Sequence, residues 1–332
     1  MIYLFAQWMQ DLGYSFFRLL EYTTVRSIAA VVTTLLLMLL LSPKAIRILY
    51  RSGSRDKQRS FDPHLAKSKS GTPTMGGIVI ILSVTASMVF WGDPTNLYLW
   101  LMMGALLVFG MLGAVDDLAK VRGGGADKGL SRGMKLVMQT AYGLVLGLVL
   151  YFPATSPFPS GLEDCIGVLF LKPSVFGGYD VHLGWLYVPF VAFVIVAVSN
   201  AVNLIDGLDG LAAGTAIPPI LVYGTFAFIL SNRVLTEYFL YPFLPGAHEL
   251  VVFVAALAGA LIGFLWYNGY PAEVFMGDTG SLALGGVMAS LVLLTKQELL
   301  FIIAGGLFIY VNATHLIGDR IGIHMLGRRL YY

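Results

Sequence analysis

The chain has 332 residues, 57% hydrophobic and 12% charged, with a formal net charge of +2 and a mean hydropathy of +0.78. A water-soluble domain carries roughly twice that charged fraction, so the composition excludes a soluble globular protein and describes one polytopic, all-α membrane domain over residues 1–332. Nothing in it calls for a nucleic-acid partner, and the single cysteine, Cys165, excludes an intrachain disulfide and reads as a loop or buried thiol.

In chain order, the first 21 residues mix aromatics with Gln7, Gln10, Asp11 and Arg18. They read as an amphipathic interfacial segment, with no small-residue cleavage site of a signal peptide. Spanning helices need about twenty mostly apolar residues. Nine stretches qualify: 27–49, 75–92, 97–115, 134–153, 184–202, 211–231, 249–268, 280–296 and 298–317. Pro218 and Pro219 predict a kink in the sixth. Ala255, Gly259 and Gly263 suit close helix packing in lipid. The long connection 154–183 alternates apolar residues with turn glycines and reads as a small outer-face hairpin. None of the five histidines has metal-pair spacing.

Lys and Arg concentrate in alternate connections: Lys44 to Lys69 after the first span, Lys120 to Lys135 after the third, and Arg320, Arg328 and Arg329 after the ninth. The opposite set holds Lys172, Arg233 and Lys296. The positive-inside rule then puts the basic set in the cytoplasm and the N-terminus outside. That alternation also places three acidic stations on the inner face, although the rule never used them: Asp116-Asp117, Asp206 with Asp209, and Asp278. Ionised groups at a bilayer are costly and are kept for chemistry or ion handling.

Carboxylates at this density need a cation. Hard Mg²⁺ takes carboxylate and phosphate oxygens, and the basic residues nearby suit phosphate. Acids, a metal and lysines at a membrane surface point to phosphoryl transfer, where catalysis is positioning and charge neutralisation. Adjacent on a helix, Asp116 and Asp117 diverge by about 100°, so at most one faces the site; the plainer alternative is a solvated acidic helix end. Asn203, Asp206 and Asp209 recur every third residue and share a face if that segment is helical; alternatively they form a capped turn. In Phe275-Met-Gly-Asp278-Thr-Gly-Ser281, one acid precedes a helix start, which suits a metal-binding carboxylate beside a phosphate-binding N-terminus. Lys69-Ser-Gly71-Thr-Pro-Thr74-Met-Gly-Gly77 reads as an anion-binding turn opening the second span, not as a Walker loop.

Together, Gly71-Thr-Pro-Thr-Met-Gly-Gly77, Val115-Asp-Asp117, Asn203-Leu-Ile-Asp-Gly-Leu-Asp-Gly-Leu211 and Phe275-Met-Gly-Asp-Thr-Gly-Ser281 resemble the phospho-N-acetylmuramoyl-pentapeptide-transferases, within the polyprenyl-phosphate phosphosugar transferases. The resemblance implies Mg²⁺-dependent reaction of UDP-N-acetylmuramoyl-pentapeptide with undecaprenyl phosphate, releasing UMP, by a multi-pass homodimer in the bacterial inner membrane. It implies Asp278 as the Mg²⁺ ligand and Asp116 and Asp117 as the essential pair, with Asp117 activating the lipid phosphate. Asn203, Asp206, Asp209, Asn268 and Phe275 are implied around the nucleotide, and Lys69, Thr74 and Lys135 along the same cleft. Direct attack and double displacement both remain open. Direct attack is preferred because a phosphate monoester, with its second pKa near about 6, is already a nucleophile at neutral pH. The family pattern continues past the position of Tyr332 with an Ala-Pro-Ile-His-His-His stretch and a tenth helix. The domain therefore reads as truncated there, and little turnover is expected of a chain without those histidines.

Two other activities share part of this pattern. A UDP-N-acetylglucosamine phosphotransferase differs in its sugar nucleotide. A cation or nucleotide-sugar transporter would hold its charges near the bilayer midplane, whereas these acids fall at span ends. A purely structural scaffold leaves the one-sided acids unexplained.

Overall fold

A computed structural model describes residues 1–52, 71–123, 129–167 and 180–317. The helices are α1 (Ile2–Asp11), α2 (Thr23–Arg51), α3 (Gly77–Trp91), α4 (Leu97–Gly123), α5 (Arg132–Tyr151), α6 (Tyr187–Ile205), α7 (Leu211–Leu230), α8 (Arg233–Phe239), α9 (His248–Asn268), α10 (Gly277–Leu294), α11 (Phe301–Ala304) and α12 (Gly306–Leu316). Among the described residues, seven helical stretches are long and apolar enough to cross a membrane. Eight of the nine expected spans each coincide with one helix, although α3 has only 15 residues.

The ninth is different. Residues 298–317 are apolar, but the helix stops at Ala304 and restarts at Gly306. Gly305 lies against the face of Phe301, where an added Cβ would fall 2.5 Å from the ring. Hydropathy alone cannot see that break. The sixth span runs as one α-helix through Pro218 and Pro219.

The centre is α10. All sixteen residues from Thr279 to Leu294 are buried, as expected of a helix apolar on every side. It packs on α4 and α6, while α9 packs on α2 and α7. The small residues do what the sequence implies: a Cβ on Gly259 would meet Thr34 Oγ1 at 2.4 Å, and one on Gly263 would meet Met38 Cβ at 2.6 Å. On α2 the outward residues Ile28, Val32, Leu36 and Leu40 recur every fourth position and are exposed, forming a stripe suited to lipid.

The two ends of the bundle differ. At one end the start of α2, the end of α3 and the start of α9 are tied by a buried ion pair between Arg26 Nη2 and Glu249 Oε1 at 2.5 Å. Arg26 also donates to Trp91 O, and Asp93 N donates to Glu249 Oε2. The expected hairpin also forms, with β1 (Cys165–Gly167) antiparallel to β2 (Asp180–His182) and Cys165 opposite His182; its turn glycines, Gly177 and Gly178, lie outside the described residues. It adjoins the C-terminal end of α10, where the Lys296 ammonium donates to Glu163 O, Cys165 O and Tyr187 Oη. The other end of α10, about 27 Å away at 1.5 Å per residue, carries the acids.

Candidate active site

The start of α10 is set by backbone contact. A Cβ on Gly113 would fall 2.1 Å from Asp278 O, and one on Gly77 would fall 2.2 Å from Gly280 Cα. Only glycine lets α3 and α4 approach α10 this closely. Residues 73–77 then lie against 275–276: Phe275 N donates to Pro73 O, Gly76 N to Phe275 O and Gly77 N to Met276 O. Gly277 adopts φ +71°, turning the chain into the helix. A Cβ there would meet Asp117 Oδ2 and Thr74 Oγ1 at 2.7 and 2.8 Å, so Thr74 stands beside the acidic pair.

Asp117 caps α10 from a neighbouring helix. Its carboxylate accepts from Asp278 N at 3.2 Å, Thr279 N at 2.8 Å and Thr279 Oγ1 at 2.7 Å. These are donors that a helix start leaves unpaired. Asp116 takes different partners, yet both aspartates reach the group around Asp278, so the expectation that at most one of them faces the site does not hold. Asp116 Oδ1 accepts from Leu130 N at 2.7 Å, and its Oδ2 lies 2.7 Å from Lys120 Nζ and 2.8 Å from Lys135 Nζ. The same two ammoniums hold Asp278 Oδ2 at 2.9 and 2.7 Å. Ser131 caps α5 through Met134 N, which sets Lys135 one turn into that helix. Asn203, near the end of α6, donates to Asp278 Oδ1 at 3.1 Å and to Ser281 Oγ at 2.8 Å.

Three carboxylates therefore face two ammoniums, leaving one formal negative charge in excess. One oxygen from each of Asp116, Asp117 and Asp278 lies within 4.8 Å of the others. This donor set suits a hard divalent cation. Asp278 keeps 18% of its side chain exposed, against 0% for Asp116 and 4% for Asp117. It is the most accessible of the three carboxylates.

Several expectations change. α6 ends at Ile205, and Asp206 takes φ −74°, ψ 58°; Asn203, Asp206 and Asp209 therefore do not share a helical face. Asp206 and Asp209 do not join the carboxylate group around Asp278. Asp209 Oδ2 instead accepts from Ala272 N at 3.3 Å, tying two connections together. Asn268 is buried, and both ends of its amide are used: Oδ1 accepts from Gly210 N and Nδ2 donates to Val274 O. It ties the connection before α7 to the one before α10. Phe275 is half-buried in the strap beside Pro73. Lys69 lies outside the described residues. Sequence reasoning does not single out Lys120, although its spacing of four from Asp116 carries the signal.

A membrane-embedded helical bundle with lysines bridging carboxylates at a helix start is the class of a phosphoryl transferase. The model of the family "Glycosyl transferase family 4" matches residues 99–296. A signature described as "Phospho-N-acetylmuramoyl-pentapeptide-transferase signature 1" matches residues 69–81. Curated relatives bearing that enzyme name are similar along most of their length. The one from Desulfotalea psychrophila is 42% identical over 293 residues, covering 88% of this chain and 78% of the relative. Those from Methylacidiphilum infernorum and Geobacter sp. are 40% and 41% identical, covering 94% and 96% of this chain and 84% and 85% of the relatives. The chain belongs to the phospho-N-acetylmuramoyl-pentapeptide-transferase family, a family of membrane transferases.

Proposed function

We propose that the chain transfers phospho-N-acetylmuramoyl-pentapeptide from UDP to undecaprenyl phosphate and releases UMP, making the first lipid-linked peptidoglycan precursor. The observation that carries the site reading is the bridge of Lys120 and Lys135 between Asp116 and the more exposed Asp278, in a chain of this family.

In the reaction, an oxygen of the lipid phosphate bonds to the sugar-bearing phosphorus of the diphosphate. The bond from that phosphorus to the bridging oxygen breaks, and UMP leaves with the electron pair. One phosphoanhydride forms as one is lost, so the residues need only position and neutralise. Asp278, with Asp116 or Asp117 beside it, would hold Mg²⁺, which would supply neutralisation of diphosphate charge. Lys120 and Lys135 swing from carboxylate to phosphate as substrate enters. Asp116 fixes both lysines from below, and Thr74 and Asn203 line the same hollow.

The expected role of Asp117 in activating the lipid phosphate is revised. Both its oxygens accept hydrogen bonds from the start of α10, so Asp117 positions Asp278. Direct attack remains the preferred course. Asp206, Asp209, Asn268 and Phe275 shape the nucleotide side. We also propose that the protein works as a homodimer in the bacterial cytoplasmic membrane, with this end of the bundle facing the cytoplasm.

The test is UMP release from purified protein with undecaprenyl phosphate and Mg²⁺. The donor from which UMP is released is expected to be UDP-N-acetylmuramoyl-pentapeptide and not UDP-N-acetylglucosamine, at the low rate expected of a chain without the histidine stretch. The reverse preference, or movement of labelled nucleotide sugar into proteoliposomes without UMP, would overturn the assignment.

A further inference from the structure

At the opposite end of the bundle, the hairpin gathers a second set of ligating side chains. Cys165 and His182 face each other across the two strands, with Asp164 preceding the cysteine. Cys165 Sγ lies 3.3 Å from His182 Nδ1 and 3.9 Å from Asp164 Oδ1, and His182 Nδ1 lies 2.9 Å from Asp164 Oδ1. A tetrahedral zinc ion with ordinary bond lengths separates sulfur from nitrogen by about 3.6 Å, nitrogen from oxygen by about 3.4 Å and sulfur from oxygen by about 3.6 Å. Each observed separation is within about half an ångström of those values, and ordinary side-chain rotation covers the difference.

We propose that Asp164, Cys165 and His182 form a site for a borderline-soft divalent transition metal, of which Zn²⁺ is the type. Sulfur, nitrogen and oxygen donors together favour such an ion over Mg²⁺. The surroundings fit ligation. The other Asp164 oxygen, Oδ2, accepts from Gly184 N at 3.1 Å, which orients the carboxylate. The Lys296 ammonium donates to the carbonyl of Cys165, which fixes the backbone beneath the thiol. The thiol is buried while the imidazole is 60% exposed, so a metal enters from the His182 side. The thiol now donates to Gly161 O at 3.2 Å. On binding, the S–H bond breaks, a sulfur–metal bond forms and the proton passes to solvent. Three protein ligands leave the fourth position to water. The ion would clip the hairpin to the preceding turn.

The experiment is titration of the purified, detergent-solubilised full chain with Co²⁺ in excess Mg²⁺, which keeps the carboxylate site at the other end occupied. One equivalent of thiolate-to-cobalt charge-transfer absorption is expected in the near ultraviolet. It should be lost in Cys165→Ser and lost or weakened at least about 10-fold in His182→Ala, with Zn²⁺ displacing the Co²⁺. Absence of the band in the parent chain, or a band unchanged in His182→Ala, would overturn the site. Neither residue touches the transferase site, so UMP release by both variants should match that of the parent.

Discussion

Neighbouring carboxylates on one helix have separate tasks here. Asp117 accepts from the first amides of α10, while Asp116 anchors two lysines. Asp278 stands between them with the greatest exposure of the three. Asp278→Asn keeps the shape and the hydrogen bond from Asn203 but removes the charge that attracts a cation. Its turnover is expected to fall at least about 100-fold, the scale of losing one electrostatic stabiliser, with thermal unfolding little changed; normal rates at limiting Mg²⁺ would refute the metal assignment. Asp117→Ala differs in kind. It strips the cap from a buried helix start, where hydrogen bonds to a charged group are worth roughly 1.5–3 kcal/mol each. A lowered unfolding temperature is expected together with lost turnover. A variant as stable as the parent would show that the capping contacts carry no weight. At this scale the motif acids are legible in the sequence because charge is rare in apolar chains. The roles of Asn268 and Lys120 are less so. Asn268 spends its amide on two backbone groups, one distant in sequence and one brought close by a turn, and Lys120, in the last turn of α4, is hidden among the basic residues around it.

Elements are legible wherever hydropathy runs unbroken. It fails where one or two residues end a helix. Gly207 N bonds back to Ile205 O as α6 terminates, which breaks the expected three-residue face after Asn203. Gly207 and Gly210 are the available stop signals. Gly305 and Gly306 divide the ninth apolar stretch in the same way. Glycine matters most where α3 meets α10. Gly77→Ala would drive a methyl group into the Gly280 backbone, and neither partner is a flexible side chain that can move aside. Overpacking of this kind typically costs about 1–3 kcal/mol. Gly77→Ala is expected to lower thermal stability and to displace Asp278, reducing turnover even though no charged group changes. Unaltered melting and activity would mean that the two helices do not touch as described.

Across the whole molecule, the acids and the hairpin occupy opposite ends of α10. With the basic connections inside, Ser52 falls on the cytoplasmic side and Ser160 on the outer side. Single cysteines introduced at these exposed positions in a Cys165→Ser background are expected to react with a membrane-impermeant maleimide differently. Ser160→Cys should label in intact cells, and Ser52→Cys only after lysis. Labelling of both in intact cells would invert or dissolve the proposed orientation. This orientation is readable from the placement of Lys and Arg alone. The meeting of Cys165 with His182 is not readable in that way, because they lie 17 positions apart and only strand pairing brings them together.

Because α10 meets α3 and α4 through bare peptide backbone at Gly77, Gly280 and Gly113, no side chain there can act as a cushion or a pivot. The three helix ends must travel as one block. Among the described residues, room for an anion entering at this helix start therefore has to come from the long, rotatable stems of Lys120 and Lys135.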